Sequence, residues 1–200
     1  MNDSDRYIEQ VLGEIRALRE ALGSFTRDQA ATLTRMAETI AGSISSGGVV
    51  LTCGNGGSAA DAQHIAGELV GRFRRKKLSG YKAFALTTNS SVVTAIANDF
   101  GYDEVFSKQV EAIGSEGDVL LALSTSGNSA NTVRAVSAAA GLGMKTLVFS
   151  GAAGGAMAEL ADIAITIADE DFARVQEIHM AMGHILCGLV EEILTSPGRA

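Results

Sequence analysis

Ile8, Val11, Leu12, Ile15, Leu18 and Leu22 recur at spacings of three and four, and Leu33, Met36, Ile40 and Ile44 resume that period after a break near Gly23. The spacing predicts two amphipathic helices at the start of the chain. Beyond Gly47 and Gly48 the pattern changes to short apolar runs at 49–53, 83–86, 119–123, 145–150 and 163–167, each bounded by Gly, Ser, Asn or Asp. These read as buried strands. Between them lie Ala-rich helical stretches such as 58–71, 91–97, 103–113 and 130–140, so strand and helix alternate. The segment 174–194 carries Val175, Ile178, Ile185, Leu186, Leu189, Val190 and Ile193 on overlapping faces, as a long, largely buried helix does. The fold class expected is α/β: a five-stranded parallel sheet covered on both faces, with two helices ahead of it and a long helix after it.

Composition narrows the functions open to such a fold. With 200 residues and 46% hydrophobic side chains, one compact unit can bury a core without disulfides or structural metal. A formal charge of −7 argues against a broad electrostatic footprint for nucleic acid. Cys53 and Cys187 are too few and too far apart for a disulfide framework, which points to a reducing, cytoplasmic setting. The first thirty residues hold Asp3, Asp5, Glu9 and Glu14 where a leader would be basic, and no run of about eighteen apolar residues occurs. Neither export by a standard signal nor a membrane span is expected.

Ligands of open parallel sheets bind at the carboxyl ends of the strands, where the strand order reverses. Two loops fall at such ends. Gly54-Asn55-Gly56-Gly57-Ser58 leads from the first strand into a helix, and its glycines let backbone N–H groups approach an anion. Ser124-Thr125-Ser126-Gly127-Asn128-Ser129 offers four hydroxyls beside another helix start, a setting suited to a phosphate monoester. Either loop alone reads as an ordinary strand-to-helix turn; the pair at one sheet edge points to phosphate. ATP chemistry does not fit, because Gly57-Ser58-Ala59 stands where a nucleotide loop needs Gly-Lys-Ser/Thr. A dinucleotide is poorly supported too, since the second strand runs into Leu86-Thr87-Thr88-Asn89 without an acidic residue for a ribose hydroxyl.

His64 and Glu68 stand four apart on the helix after the first loop and so share a face, either as a solvated pair or as ligands converging on one target. Gln176 and His184 are eight apart on the last helix and can address one cavity, whereas His179 points elsewhere. Set among Met182, Ile185 and Leu186, His184 also reads as a core histidine. Cys53 and Cys187 read as small buried hydrophobes. Arg72 lies one turn beyond Glu68 in a basic run, and Asp99 is either a turn residue or a sugar-hydroxyl acceptor; spacing alone does not choose.

The string from Cys53 through Gly-Asn-Gly-Gly-Ser-Ala-Ala-Asp-Ala-Gln-His-Ile-Ala-Gly to Glu68-Leu-Val-Gly-Arg72-Phe resembles bacterial phosphoheptose isomerases, a branch of the sugar isomerase (SIS) superfamily. The resemblance continues in Thr94-Ala-Ile-Ala-Asn-Asp99-Phe-Gly-Tyr, in the block from Gly117 to Ala130, and in Arg174-Val-Gln-Glu-Ile-His followed by His184. It implies a flavodoxin-like three-layer sandwich in which residues 1–46 form a helical pair on the core and the oligomer interface, and 47–200 a phosphosugar-binding SIS domain. The implied activity is isomerisation of sedoheptulose 7-phosphate to D-glycero-D-manno-heptose 7-phosphate, at the head of ADP- or GDP-heptose synthesis for surface polysaccharide. The implied assembly is a homotetramer with sites between subunits, free of membrane or direct nucleic-acid contact. By the same matching, His64, Glu68, Gln176 and His184 resemble the family's zinc-binding set, and Ser124, Thr125, Ser126 and Ser129 its phosphate loop. Asn55, Gly56, Gly57, Ser58, Arg72, Asp99 and Gln176 fall on substrate contacts. Glu68 and His184 suit an acid/base pair for moving a carbonyl between C2 and C1. One departure stands out: Asp169-Glu170-Asp171-Phe172-Ala173 occupies a stretch where such isomerases are expected to be rich in Ser and Thr. Two other readings remain, a non-catalytic SIS-domain adaptor that binds the replication initiator and a phosphosugar sensor; the presence of both Glu68 and His184 weighs against the adaptor.

Overall fold

The structure, a computed structural model, describes residues 3–71, 73–74 and 80–196. Helices α1 (Asp3–Gly23) and α2 (Arg27–Ser45) open the chain. Then come β1 (Val50–Cys53), α3 (Gly57–Val70), β2 (Ala83–Ala85), α4 (Ser90–Phe100), a 3₁₀ turn (Tyr102–Glu104) and α5 (Ser107–Ile113). The chain continues with β3 (Val119–Ser124), α6 (Ala130–Gly141), β4 (Lys145–Gly151), α7 (Gly155–Leu160), β5 (Ile163–Ile167) and α8 (Phe172–Thr195). The five strands are parallel in the order β2-β1-β3-β4-β5, the flavodoxin-like order.

Because side chains alternate along a strand, each strand feeds both faces of the sheet. Val119, Leu121 and Leu123 of β3 join Leu147 and Phe149 in a core closed by α2, α3 and α8; Leu120 and Ala122 join Leu51 and Val148 in a second core that includes Val105, Phe106, Ala135, Val136 and Met157. The sequence-predicted α/β sandwich is therefore what forms. Two details differ. The stretch 103–113 is not one helix: Val105 and Phe106 both turn into the core and Ser107 Oγ bonds the Glu104 carbonyl (3.1 Å), which interrupts the helical ladder. Six-residue α7 is too short for a periodic signal to mark it.

The opening helices behave differently from one another. α2 is started by a capping box, with Gln29 N–H donating to Thr26 Oγ1 (3.2 Å) and Thr26 N–H to Gln29 Oε1 (2.8 Å), and it buries Leu33, Met36, Ala37 and Ile40. α1 buries no residue, and its apolar stripe of Tyr7, Ile8, Val11, Leu12 and Ile15 lies open. α8 is long and apolar enough to cross a membrane, yet Val175, Ile178, Met182, Leu186 and Val190 seat it in the core. The acidic departure ahead of it shapes the start of that helix. Asp171 caps α8 through Ala173 N–H (2.8 Å), and Asp169 Oδ1 accepts from Asp171 N–H (2.9 Å).

Candidate active site

β1 and β3 are neighbours, and the chain leaves them toward opposite faces, α3 into one core and α6 into the other. The crevice between their carboxyl ends is the switch point, and both sequence-predicted loops lie there. Gly56 takes a positive φ of 56° at the start of α3, with no side chain capping the helix, so its first N–H groups stay available to a ligand. Ser58 is buried beneath.

Across the crevice, Ser129 holds the N-cap position of α6 without giving its hydroxyl to the helix. That hydroxyl and Ser126 Oγ each lie 3.4 Å from buried Ser124 Oγ, and Gly127 N–H donates to Ser124 Oγ (3.1 Å). Thr125 is half-buried between them. The loop is braced from behind. Gly127 has φ 66°, and a Cβ there would stand 1.9 Å from the Gly154 carbonyl oxygen, so only glycine fits; its own carbonyl accepts from Met157 N–H (3.0 Å), while Asn128 Oδ1 accepts from Ala156 N–H (3.0 Å). Hydroxyls and a free helix start, held in a rigid frame, suit a phosphate without any lysine.

Asn55 ties the two loops together. Its amide pairs reciprocally with that of Asn131 on α6 (2.8 and 2.9 Å), and its oxygen also accepts from Tyr102 Oη (3.2 Å). Neither Asn131 nor Tyr102 stood out in the sequence: Tyr102 closes the string that begins at Thr94 and Asn131 follows the block that ends at Ala130, with nothing to say that either side chain reached another loop.

A second cluster lies farther along α3. His64 Nε2 is 3.2 Å from Glu68 Oε1 and 2.9 Å from His184 Nε2 of α8, and one ligand atom from each of the three falls within 4.8 Å of the others. The two imidazoles meet edge-on, with centroids 4.9 Å apart. Two ring nitrogens cannot face one another at that distance as bare lone pairs; a shared proton or a cation must lie between them. A tetrahedral zinc with bonds of about 2.0–2.2 Å sets its donors roughly 3.3 Å apart. The separations from His64, 2.9 and 3.2 Å, lie near that spacing, and the remaining one is within 4.8 Å, so these two imidazole nitrogens and a carboxylate oxygen could hold such an ion once Glu68 and His184 draw toward it; His64, with 46% of its side chain exposed, leaves the cluster open on one side.

The other sequence-predicted residues separate. Gln176 brings its amide against Gly57, where a Cβ would meet its Nε2 at 2.5 Å; this is the loop end of α3, seven residues or about 10 Å of helix before His64. Asp99 is exposed at the end of α4 and accepts from Asn98 Nδ2 (2.8 Å). Arg72 lies outside the described residues. His179 is fully buried beside Phe149, with Nε2 3.3 Å from the Ser150 carbonyl oxygen, and burial pushes it down to about 4. Burial pushes the Cys53 and Cys187 thiols up to about 12, as inert core residues. Sequence reasoning passed over Asp61, one turn before His64: burial raises it to about 6 against the opposing pull of His64, and its Oδ2 is buried without a hydrogen-bond partner among the described residues.

The SIS domain family matches residues 15–151. The phosphoheptose isomerase of Rhodospirillum rubrum is 48% identical over 186 residues, covering 92% of this chain and 98% of its own. Among solved structures, the phosphoheptose isomerase of Neisseria gonorrhoeae is 39% identical with a TM-score of 0.82, and that of Francisella tularensis 32% identical with a TM-score of 0.84. Each pairing covers 96% of this chain and the whole of the other.

Proposed function

Because this chain belongs to the phosphoheptose isomerase branch of the SIS-domain proteins, we propose that it interconverts sedoheptulose 7-phosphate and D-glycero-D-manno-heptose 7-phosphate through an enediol. The observation that carries the reading is the meeting of Glu68 and His184, from two different helices, in one open cluster.

In the ketose-to-aldose direction Glu68 removes a proton from C1. The C–H electrons become the C1=C2 bond, and the C2 oxygen takes a proton from His184, giving the enediol. Return of a proton to C2 and loss of the O1 proton to the imidazole leave the aldehyde at C1. One carboxylate serves both carbons, and one imidazole serves both oxygens. The hydroxyls of Ser124, Ser126 and Ser129, with the open starts of α3 and α6, hold the phosphate away from the reacting end. A zinc ion held by His64, Glu68 and His184 would, when bound, supply Lewis acidity toward the sugar oxygens in place of the His184 proton, since an imidazole nitrogen on the ion carries none.

Two features support the assembly we propose. Glu68 stands eleven residues after Gly57, roughly 16 Å along α3, which favours a site pairing the phosphate loops of one subunit with the acid/base cluster of the next. The exposed stripe of α1 gives a second copy an apolar face to cover. We assign a homotetramer on this basis, in a reducing compartment that suits two free, buried cysteines.

Incubation of the purified protein with sedoheptulose 7-phosphate, with and without added zinc, tests the reading. The aldose product is expected; binding without product under both conditions would make the protein a phosphosugar sensor instead.

A further inference from the structure

Glu191 lies on α8 two turns beyond His184 and is only 4% exposed. A buried carboxylate is costly unless hydrogen-bonded. Here it is satisfied from an unexpected quarter, the chain just past the end of α3: Glu191 Oε1 accepts from Phe73 N–H (3.0 Å) and Oε2 from Arg74 N–H (3.0 Å). The bonds fix the backbone at 73–74 against α8. They also fix the Phe73 ring, which passes over Gly188, where a Cβ would come within 3.4 Å of Phe73 Cε1, and runs alongside the His184 imidazole in a displaced, near-parallel stack with centroids 5.7 Å apart and planes 10° from parallel. His184 is thus bounded by Phe73 on a ring face and by His64 edge-on.

A flat aromatic neighbour restricts rotation of an imidazole about its Cβ–Cγ bond, which is otherwise broad. That rotation decides whether Nε2 of His184 points at His64 and Glu68 or away. We propose that Glu191 is a positioning residue for His184, acting through the 73–74 backbone and the Phe73 ring. The proposal rests on the part given to His184 in the isomerase reading, but the physical link from carboxylate to ring stands independently of it.

Three variants test it: Glu191→Gln, which keeps the size but offers only one acceptor oxygen; Phe73→Leu, which removes the stacking face; and Phe73→Tyr, which retains it. Long-range proton–nitrogen spectra of the three histidine rings report the geometry of His184 whether or not the protein turns over. Glu191→Gln and Phe73→Leu should shift or broaden the His184 ring signals and lower kcat by ~10- to 100-fold, with KM changed far less. Phe73→Tyr should return the ring signals to their wild-type positions. The double variant Glu191→Gln/Phe73→Leu should be no slower than the worse single one, because both break one line of action. Unmoved ring signals and an unchanged kcat in Glu191→Gln and Phe73→Leu, even with a lowered Tm, would overturn the proposal and leave Glu191 as a plain tether. Additive losses in the double variant would overturn the shared line. If Glu191→Gln fails to fold, Phe73→Leu decides alone, since it leaves the carboxylate bonds in place. If the wild-type protein makes no aldose, the isomerase reading falls while the ring spectra still judge the link.

Discussion

With Oε1 of Glu68 turned toward His64 (3.2 Å), the other oxygen is the one available to take a proton from carbon. Glu68→Gln removes that base while keeping shape and most polarity. It should fold normally and bind the sugar phosphate within a few-fold of wild type, yet turn over ~10²–10⁴-fold more slowly; calorimetric binding set beside steady-state rates checks this, and near-normal turnover would dismiss Glu68 from the role. His179 offers a second test at this scale. Its pKa falls from the ordinary 6.5 to about 4 because burial disfavours the charged ring. A depressed value means that the fold holds the neutral form, so the stabilisation is complete above pH 6.5 and is lost as pH falls from 6.5 toward 4. Urea midpoints measured across that window should decline in the wild type and decline less in His179→Gln.

Elements are joined here by single side chains. Gln29 closes the capping box with Thr26 and also donates Nε2–H to the Thr166 carbonyl (2.8 Å), so one residue starts α2 and ties it to β5. Thr26→Ala should cost about 1 kcal/mol of unfolding free energy. Gln29→Ala should cost more, since it removes the tie as well as the cap; equal losses in chemical denaturation would show that the contact with β5 contributes nothing. At the crevice, the loop after β3 is rigid because α7 donates its first N–H groups to it, a support that a six-residue helix of mostly Gly, Ala and Met gives no periodic hint of.

For the whole molecule, the open stripe on α1 is the feature a lone chain leaves unsolved. Replacing Ile8 and Ile15 with Glu should lower the mass seen by light scattering and abolish turnover together; an unchanged mass would remove α1 from the interface. Much of this architecture was already present in the order of residues. Alternating apolar runs and Ala-rich segments determined five strands and their covering helices, because burial on two faces demands that pattern whatever the partners. Gly56, Gly57 and the serines of 124–129 marked the two loops, because turn and hydroxyl chemistry are local. The i,i+4 spacing of His64 and Glu68 showed a shared face for the same reason. What joined that face to His184, set Gln176 against Gly57, paired Asn55 with Asn131 and brought Phe73 alongside an imidazole under the hold of Glu191 was decided only by the packing of α3, α6 and α8. Those contacts unite residues far apart in the chain, and a distance between packed helices is a property of the assembled core that no local period encodes.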